Sequence, residues 1–490
     1  MTKSRRIGLS KSKIAAYEQC PRRLWLQTHA PEEAKFDDGA EARFAAGNDV
    51  GEIARRLVSG GVLVEEEDLG AALEATQRHL AERPRPLFEA TFQHDGVLVR
   101  ADVLSPDKKG GWHIAEVKSS TGVKDPHLRD LATQVWVMEA AGLTVSCAAV
   151  RHLDRDFVLR KAGRYKGLFA DTDLTDAVRP IIAGRPTLVR AARAMLSKGE
   201  PVREPGPHCH APYECEFQDW CGRGAPEGPE WGIDLLPRTG AKLAALWAEK
   251  GITDLCDLPD DAELSPLHER IRRVTVTGKP HVDRKAIRAE TAAWTYPRIW
   301  IDFETIAFPV PRWIGTSPWQ QVPFQVSAHV EARGGRIDHV EELDLSGGDP
   351  RPAIAARLAA LPKKGTVIAW NAGFEKRCFR ELAEACPYHA EALLDLERRT
   401  VDLLPVARNH YYHRDQRGSW SIKAVLPTLA PELDYGGLEV KDGADAQTAY
   451  MEAIAPDCSP ERRRAIETAL LAYCARDTWA MLEVLRRMID

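Results

Sequence analysis

Several features are missing from this sequence of 490 residues. It has no run of 18 or more apolar residues, so we expect no membrane-spanning helix and no membrane partner. The basic start MTKSRRIGLSKSK is not followed by an apolar stretch, so we expect no signal peptide. No fixed-period repeat and no low-complexity segment is present. These absences favour a globular protein of the cytoplasm.

The sequence also lacks an excess of basic residues. It contains 67 Lys and Arg against 72 Asp and Glu, a formal net charge of -5 at pH 7. The chain is therefore not a uniformly basic nucleic-acid coat, although acidic metal ligands can hide a local basic groove in such a total. Its ten cysteines, without a secretory signal, favour cytosolic thiols or metal ligands over disulfides.

The chain is too long for one ordinary core, and its pattern predicts an α/β protein with more than one domain. We predict an N-terminal domain over residues 1–228, which starts with a helix over 10–26, and a C-terminal domain over 291–490. A helical linker over 229–290 joins them. Within it, LAALWAEKGITDLCDLP is also weakly similar to a helix-hairpin-helix module, with two short helices joined at Gly251.

Two carboxylates and a lysine lie on neighbouring predicted strands of the N-terminal domain. Side chains alternate along LVRADVL, which places Asp102 on one face with Leu98 and Arg100. In HIAEVKSS, Glu116 and Lys118 share a face, so Asp102 and Glu116 can hold a hard divalent cation. Lys118 can then position the attacking water and stabilise charge on a phosphate. The alternative is a surface salt bridge between Glu116 and Lys118.

An Asp followed by Glu-x-Lys on the next strand resembles the PD-(D/E)xK nucleases, which have a restriction-endonuclease-like fold. The RecB-like branch of that class implies a further metal-binding acid at Glu89, in FEATF, and a catalytic glutamine at Gln134, in QVWVMEAAG. The sequence departs from that branch at Met138, where the branch carries an aromatic residue. The segment AGNDVGEIA also lacks the histidine that the branch often has.

Four cysteines flank the nuclease-like segment. Cys20 precedes it, and Cys209, Cys215 and Cys221 follow it at intervals of six. Thiolates gathered in this way select a soft metal or an iron–sulfur cluster. The order resembles the RecB-like exonucleases of CRISPR systems and the AddB-type recombination nucleases, in which a 4Fe-4S cluster joins the two ends of the domain. Two alternatives stay open: a zinc site that includes a histidine of HCH, and four unrelated buried thiols.

A second set of acids lies in the C-terminal domain. On the predicted strand RIWIDFETIAF, Asp302 and Glu304 point the same way. On the helix LLAYCARDTWAM, for which Ser459 is the predicted N-cap, Tyr473 and Asp477 share one face. Such acids can hold one or two divalent ions, and two ions ~4 Å apart stabilise both the attacking and the leaving oxygen of phosphodiester hydrolysis.

The order of these motifs resembles the DEDD exonucleases, the proofreading and RNase D class with a ribonuclease H-like fold. Asp-x-Glu comes first, Asn-x-x-Phe-Glu follows in WNAGFEKRCF, and Tyr-x-x-x-Asp comes last. Tyr473 implies the DEDDy branch, in which the phenol orients the attacking water. Glu375 stands where the class has Asp, and Asp402 is a spare acid that can substitute. The alternative is a ribonuclease H-like fold that has lost its activity.

Both halves together resemble a bacterial family that pairs a RecB-like domain with a DEDD-like domain. The resemblance implies a nuclease that hydrolyses DNA at ends or single strands, with Mg or Mn at both centres and a 4Fe-4S cluster. A nucleic-acid-binding scaffold with degenerate centres and an RNase that acts through the C-terminal domain alone are the two other hypotheses. The predicted catalytic residues are Asp102, Glu116, Lys118, Gln134, Asp302, Glu304, Glu375, Tyr473 and Asp477. The predicted metal ligands are Glu89, Asp102, Glu116, Asp302, Glu304, Glu375 and Asp477.

Aromatic residues near these motifs are further candidates, because an exposed ring can stack on a nucleic-acid base. As a group they are more often core. They are Trp294, Trp300, Trp313, Trp319 and Trp420.

Overall fold

The computed structural model describes residues 8–36, 39–224, 228–433 and 435–490, without the side chains of 40–45. In these ranges the protein is a mixture of helices and mixed β-sheets, in agreement with the predicted α/β class. None of the described helices is both long enough and apolar enough to cross a membrane.

Two compact units make up the chain. The first consists of Met1–Ala225 and Phe308–Gln320, and the second of Pro226–Ala307 and Gln321–Asp490. The segment 229–290, which the sequence predicts to be a linker, thus belongs to the second unit.

The first unit is built around one mixed sheet. Its described helices are α1 (Lys11–Gln19), α2 (Pro21–His29), α3 (Ala40–Arg56), α4 (Leu69–Ala81), α5 (Asp125–Ala140), α6 (Thr175–Leu196) and α7 (Gln218–Gly222). Its strands are β1 (Leu9–Ser10), β2 (Val62–Leu63), β3 (Leu87–His94), β4 (Val97–Pro106), β5 (Trp112–Lys118), β6 (Val145–Leu153) and β7 (Phe169–Asp173). The sheet order is β2-β3-β4-β5-β6-β7, and β1 pairs with β4. Strands β3, β4 and β5 are antiparallel neighbours, whereas β5 and β6 are parallel.

The helix predicted over residues 10–26 is interrupted in the structure. Helix α1 ends at Gln19, and α2 begins at Pro21 with Cys20 as its N-cap residue in an extended conformation. Proline has no backbone N–H and favours the first position of a helix, so Pro21 starts a new helix rather than continuing α1. The break leaves Cys20 at the junction of two helices.

The alternating burial of side chains along β4 shows which face of the sheet packs into the core. Val97, Val99 and Ala101 are almost fully buried and pack with helix residues such as Leu131 of α5 and Val189 of α6. The intervening side chains are partly exposed, as expected for a strand with one face in the core. This arrangement leaves the face that carries Asp102 free for polar side chains.

The second unit contains a five-stranded mixed sheet and a separate antiparallel pair of two-residue strands. Its described helices are α8 (Gly240–Ala248), α9 (Pro266–Thr277), α10 (Arg284–Thr291), α11 (Arg351–Ala359), α12 (Gly373–Ala385), α13 (Ala390–Arg399), α14 (Leu403–His410), α15 (Ile422–Leu429), α16 (Gly443–Ala453) and α17 (Pro460–Ile489). Its strands are β8 (His281–Val282), β9 (Arg298–Ala307), β10 (Gln321–Glu331), β11 (Ile337–Leu343), β12 (Thr366–Ala369), β13 (Thr400–Asp402) and β14 (Tyr411–Tyr412). The sheet order is β11-β10-β9-β12-β13, antiparallel from β11 to β9 and parallel from β9 to β13.

Two helical layers cover the sheet of the second unit. Ile301 and Phe303 of the central strand β9 pack on Phe379 and Leu382 of α12. The long helix α17 packs on β9 and β10, and its N-cap is Ser459, as predicted. Because side chains alternate along β9, Asp302 and Glu304 point to the α17 side.

The proposed helix-hairpin-helix segment forms only one α-helix. Helix α8 ends shortly before Gly251, which has φ +74°. The residues that follow form a 3-10 turn at Leu255–Asp257 instead of a second α-helix. Glycine stops α8 here because it adopts the left-handed conformation without a Cβ clash.

Gly365, which immediately precedes β12, is a tightly constrained backbone position of the second unit. It has φ +93°, and a Cβ atom there would lie 1.9 Å from the carbonyl oxygen of Pro297. We expect Gly365→Ala to lower the free energy of unfolding by roughly 3 kcal/mol or more, through backbone strain together with overpacking. Urea denaturation measures this.

Gly251→Ala is the matched control, since Gly251 also has positive φ but a Cβ there would meet no atom within 4 Å. It should cost only about 1 kcal/mol. Equal losses for the two variants would show that the close approach to Pro297 does not matter.

Candidate metal centres

Three acids form a row across the sheet of the first unit. The register of β3 and β4 places Glu89 opposite Asp102, and the register of β4 and β5 continues from Asp102 to Glu116. A carboxylate oxygen of Asp102 accepts a hydrogen bond from the backbone N–H of Val117, at 2.7 Å. The three side chains predicted to bind a metal are therefore adjacent on neighbouring strands.

Glu116 is the centre of this group and is only 2% exposed. Its Oε1 accepts from the ammonium groups of Lys11, at 2.5 Å, and Lys118, at 2.9 Å. Its Oε2 accepts from Nε2 of the fully buried Gln134, at 2.5 Å. Lys118 also contacts Asp130 of α5, at 3.2 Å. The structure thus brings Glu116, Lys118 and Gln134 together, as predicted from their motifs.

The charges of this group shift the pKa values of its two central acids, Asp102 and Glu116, in opposite directions. Burial and the neighbouring Glu116 raise the pKa of Asp102 to about 8. Burial also acts to raise the pKa of Glu116, but the ammonium groups of Lys11 and Lys118 outweigh it and hold that pKa well below its usual value. Near neutral pH, Glu116 is therefore ionised while Asp102 readily takes up a proton. A divalent cation bound at this row would compete with that proton and with Lys11.

Lys11 is a residue that motif reasoning missed. It lies in the first turn of α1, about one hundred positions before the acid it contacts, and nothing in KSKIAAYEQ distinguishes it from a surface lysine. Glu89 is held differently: it has φ +55°, and its carboxylate lies 3.5 Å from Arg55 of α3. Such a left-handed non-glycine residue on a strand is uncommon and is typical of functional sites.

The four predicted cluster cysteines line one small cavity. They are Cys20, Cys209, Cys215 and Cys221, and all four are free thiols. Arg23 and Arg203 line the same cavity, which provides positive charge close to the sulfur atoms. Burial raises the pKa of Cys215 to about 11 and also raises that of Cys221. Burial thus favours the protonated form of the Cys215 and Cys221 thiols.

Polar contacts join the helix pair α1–α2 to the cysteine-bearing loop. Gln19 donates through Nε2 to the carbonyl oxygens of His208, at 2.8 Å, and Tyr213, at 2.7 Å. Arg23 forms an ion pair with the buried Glu216, at 2.8 Å. These contacts hold Cys20 near the other three cysteines although almost 190 residues separate them.

The distances between the cysteine sulfur atoms can be compared with those that a single zinc ion requires. Four thiolates around one zinc ion, with Zn–S distances of about 2.3 Å, lie roughly 3.8 Å from each other. In the described part of the chain, the only trio of ligand atoms that all lie within 4.8 Å of one another is an acidic one in the second unit. No three of the sulfur atoms of the described cysteines therefore all lie within 4.8 Å of one another.

That acidic trio consists of Asp302, Glu304 and Asp477. Asp302 and Glu304 lie on the α17 side of β9, and Asp477 extends from α17. Gln325 of β10 helps fix the helix, because its Nε2 donates to the carbonyl oxygen of Leu470, at 2.8 Å. Glu304 and Asp477 are buried, and Asp302 is partly exposed. One strand and one helix therefore bring Asp477 together with two acids that precede it by more than 170 positions.

Hydroxyl and ammonium groups surround the trio. Tyr435 donates to Oδ1 of Asp477, at 2.5 Å, and the hydroxyl of Tyr473 also hydrogen bonds to that carboxylate. Lys423 of α15 donates to the hydroxyl of Tyr473, at 3.0 Å. Lys423 lies in the segment SWSIKAVLP, which contributes to helix α15. Tyr435 lies in an irregular loop without a recognisable motif, so sequence reasoning missed it.

Glu375 is a further buried acid of the second unit that is not one of the trio. It lies in the first turn of α12 and is 3% exposed, and its Oε2 has no hydrogen-bond partner. Asp402, the spare acid, is occupied as the N-cap of α14: it accepts from the N–H of Leu404, at 3.0 Å, and of Asn371, at 2.9 Å. Its role is thus structural, and Glu375 is the buried acid left to complete a fourth position.

Burial, together with repulsion between neighbouring carboxylates, raises the pKa values of the acids at this centre. Burial and the charge of Asp477 raise the pKa of Glu304 to about 8. Burial and the charges of Asp477 and Glu304 raise the pKa of Asp302 well above its usual value, and burial raises that of Glu375 to about 8. Lys423 offsets only part of this repulsion, since the acid pKa values stay raised. A divalent cation is the natural counter-charge for such a set of oxygen ligands.

One family model matches part of the chain. A family model described as "Domain of unknown function (DUF2779)" matches residues 299–421. This stretch includes Asp302, Glu304 and Glu375 and ends before Lys423, Tyr473 and Asp477. No curated protein matches the chain. The matched segment is similar to that domain over about a quarter of the chain, so it shows no family for the whole.

The raised pKa of Glu304 gives a pH prediction. Because its folded-state pKa of about 8 exceeds the ordinary value of 4.5, folding favours the protonated form. Its contribution to stability is therefore present below about pH 4.5 and is lost as the pH rises through 8. Glu304→Gln stays neutral, so without divalent ions it should melt near the wild-type temperature at acidic pH and several degrees above it at pH 8.5.

Added Mn²⁺ should reverse that order at pH 8.5, since only the wild type has the full set of ionised ligands. Calorimetric melting curves with and without Mn²⁺ provide the comparison. A variant that melts below the wild type in metal-free buffer at pH 8.5 would contradict the repulsion argument.

Proposed function

We propose that this protein is a metal-dependent nuclease with two centres, one in each compact unit. The observation that carries the proposal is the trio of Asp302, Glu304 and Asp477, whose ligand atoms lie within 4.8 Å of one another and of which Glu304 and Asp477 are buried. A carboxylate trio of this kind, next to an unpartnered buried Glu375, suits divalent metal ions that act on a phosphodiester.

The second centre supports a DEDDy-type exonuclease. Its mixed five-stranded sheet, with two acids on the central strand and a third on the C-terminal helix, is compatible with the ribonuclease H-like fold that the motif order implies. Asp302, Glu304, Asp477 and Glu375 would hold Mg or Mn, which would polarise the phosphate and supply the attacking hydroxide. Motif order and geometry thus favour the same function.

The protein's own groups at this centre position the reactants. Tyr473 lies one helical turn before Asp477, and its hydroxyl can orient a water molecule beside the carboxylates. Lys423 donates to that hydroxyl and places a positive charge where a phosphate would approach. Tyr435 holds Asp477 in a fixed orientation. Together these contacts leave the carboxylates preorganised on rigid elements.

The first centre supports a RecB-like nuclease of restriction-endonuclease-like fold. Asp102 and Glu116, with Glu89 beside them, would hold the metal, and Gln134 orients Glu116. Lys118, held by Glu116 and Asp130, provides the ammonium group for the phosphate. Its raised pKa, which results from these two acids despite burial, keeps it protonated. It therefore acts as a charge-stabilising group and not as a proton acceptor.

The cysteine cavity would hold a 4Fe-4S cluster in this proposal, with a single zinc ion as the alternative. Its support is the convergence of four thiols from both ends of the nuclease-like segment. Such a cluster would join α1–α2 to the loop that follows α6 and so stabilise the first unit. The expected substrate is DNA at ends or single strands, and RNA hydrolysis is an outcome that the assays below distinguish.

Cleavage assays separate the two centres. With Mn²⁺ and an end-labelled linear single strand, Asp477→Ala should abolish the stepwise release of nucleotides, because the trio loses a ligand. Tyr473→Phe should slow it ~10²-fold, since it removes a water-orienting hydroxyl and leaves the acids. Asp338→Ala, an exposed acid of the same sheet, is the matched control and should cleave like wild type.

The first centre is tested in the same way with Lys118→Ala. This variant should retain stepwise release at the second centre and lose the remaining cleavage. Full-length protein that binds Mn²⁺ yet degrades neither DNA nor RNA would contradict the nuclease proposal and favour the scaffold hypothesis. Cleavage of RNA alone, abolished by Asp477→Ala, would favour the RNase hypothesis.

Metal analysis tests the cluster. Protein purified without oxygen should be brown and contain about four iron atoms per chain. Cys20→Ala should lose the iron and the colour, and it should lower the melting temperature of the first unit. Cys256→Ala is the control, because Cys256 is exposed and lies outside the cavity. Stoichiometric zinc without iron would overturn the assignment.

A further inference from the structure

Residues 308–320 follow β9 in sequence but belong to the first unit, and we call them the inserted loop. The backbone N–H of Trp319 donates to the carbonyl oxygen of Phe308, at 2.8 Å, which closes the loop. Leu159 is hydrogen bonded on both sides to the loop: it accepts from Gly315, at 2.8 Å, and donates to Thr316, at 3.0 Å. The inserted loop is therefore a compact part of the first unit's surface.

Trp319 is fixed beside the first centre. Its Nε1 donates to the carbonyl oxygen of Ser119, at 2.6 Å. Ser119 directly follows Lys118, the ammonium group that contacts Glu116. Trp319 also has φ +59°, a conformation that a bulky residue keeps only where its surroundings enforce it. The indole is thus held in one place next to the end of β5.

Exposure separates Trp319 from the other tryptophans near the motifs. It is 41% exposed although its N–H is already satisfied. The four others are at most 9% exposed and belong to the protein interior; they are Trp294, Trp300, Trp313 and Trp420. An immobilised indole that faces solvent beside a charged centre offers an apolar ring surface with little entropy left to lose.

We propose that Trp319 is a specificity-determining residue of the first centre, on which an unpaired nucleic-acid base stacks while Lys118 meets the phosphate. The inference rests on the proposed nuclease function of that centre. A base inside a duplex has both faces covered by its neighbours, so a stacking residue selects a strand with unpaired bases. The inserted loop, which belongs to the first unit, thereby supplies a substrate contact to that unit's centre.

The test uses the full-length chain with Asp302→Ala, so that cleavage reports the first centre. Two substrates are compared: a single-stranded thymidine oligonucleotide and an abasic strand of the same length, which has the same phosphates and no bases. Trp319→Ala should lower the ratio of kcat/KM for the thymidine strand to that for the abasic strand by roughly tenfold. Trp319→Phe should restore most of the ratio, since it keeps a ring and loses only the N–H to Ser119.

Tyr388→Ala is the control, because Tyr388 is 93% exposed in the second unit and outside both centres. It should leave the ratio at its wild-type value. An unchanged ratio in Trp319→Ala, or a Trp319→Phe ratio as low as that of Trp319→Ala, would overturn the inference and assign Trp319 a structural role. If the Asp302→Ala chain cleaves neither strand before any change at Trp319, the proposed activity of the first centre fails, and this inference fails with it.

Discussion

Repulsion between buried carboxylates is the constraint on which both centres depend. In the second unit, Asp302, Glu304 and Asp477 converge within 4.8 Å. Burial and the neighbouring carboxylates raise the pKa values of Asp302 and Glu304, and burial raises that of Asp477. In the first unit, the ammonium groups of Lys11 and Lys118 hold the pKa of Glu116 below its usual value. Burial and the charge of Glu116 raise the pKa of Asp102. Keeping such groups together lowers the stability of the metal-free fold, and a bound divalent cation would neutralise the charge of the carboxylates.

The two units meet this constraint by different means. The acids of the first unit lie in a row across adjacent strands, so hydrogen-bonded register sets their spacing. The trio of the second unit joins β9 to α17, and hydroxyl groups of Tyr435 and Tyr473 fix the helical acid. In both cases the opposite face of the same strand is packed into a core, which makes the carboxylate positions rigid.

The parts of each centre that follow from local geometry could be predicted from sequence. Period-two alternation places Asp302 with Glu304, and helical spacing places Tyr473 with Asp477, because neither depends on distant packing. The interruption at Cys20 and the role of Asp402 as a helix cap could not be anticipated as reliably, since local backbone chemistry there competes with the motif. Lys11, Tyr435 and the inserted loop depend on tertiary packing and leave no periodic signal.

The proposed function follows from ion binding, so the position of bound metal is its most informative observable. Crystals grown with Mn²⁺ and measured at the manganese edge should show anomalous density beside Asp302, Glu304 and Asp477, and a second peak beside Asp102 and Glu116 with Lys11 displaced. Absence of density at both places, with Lys11 still on Glu116 and the acid trio unchanged, would contradict a metal-dependent nuclease.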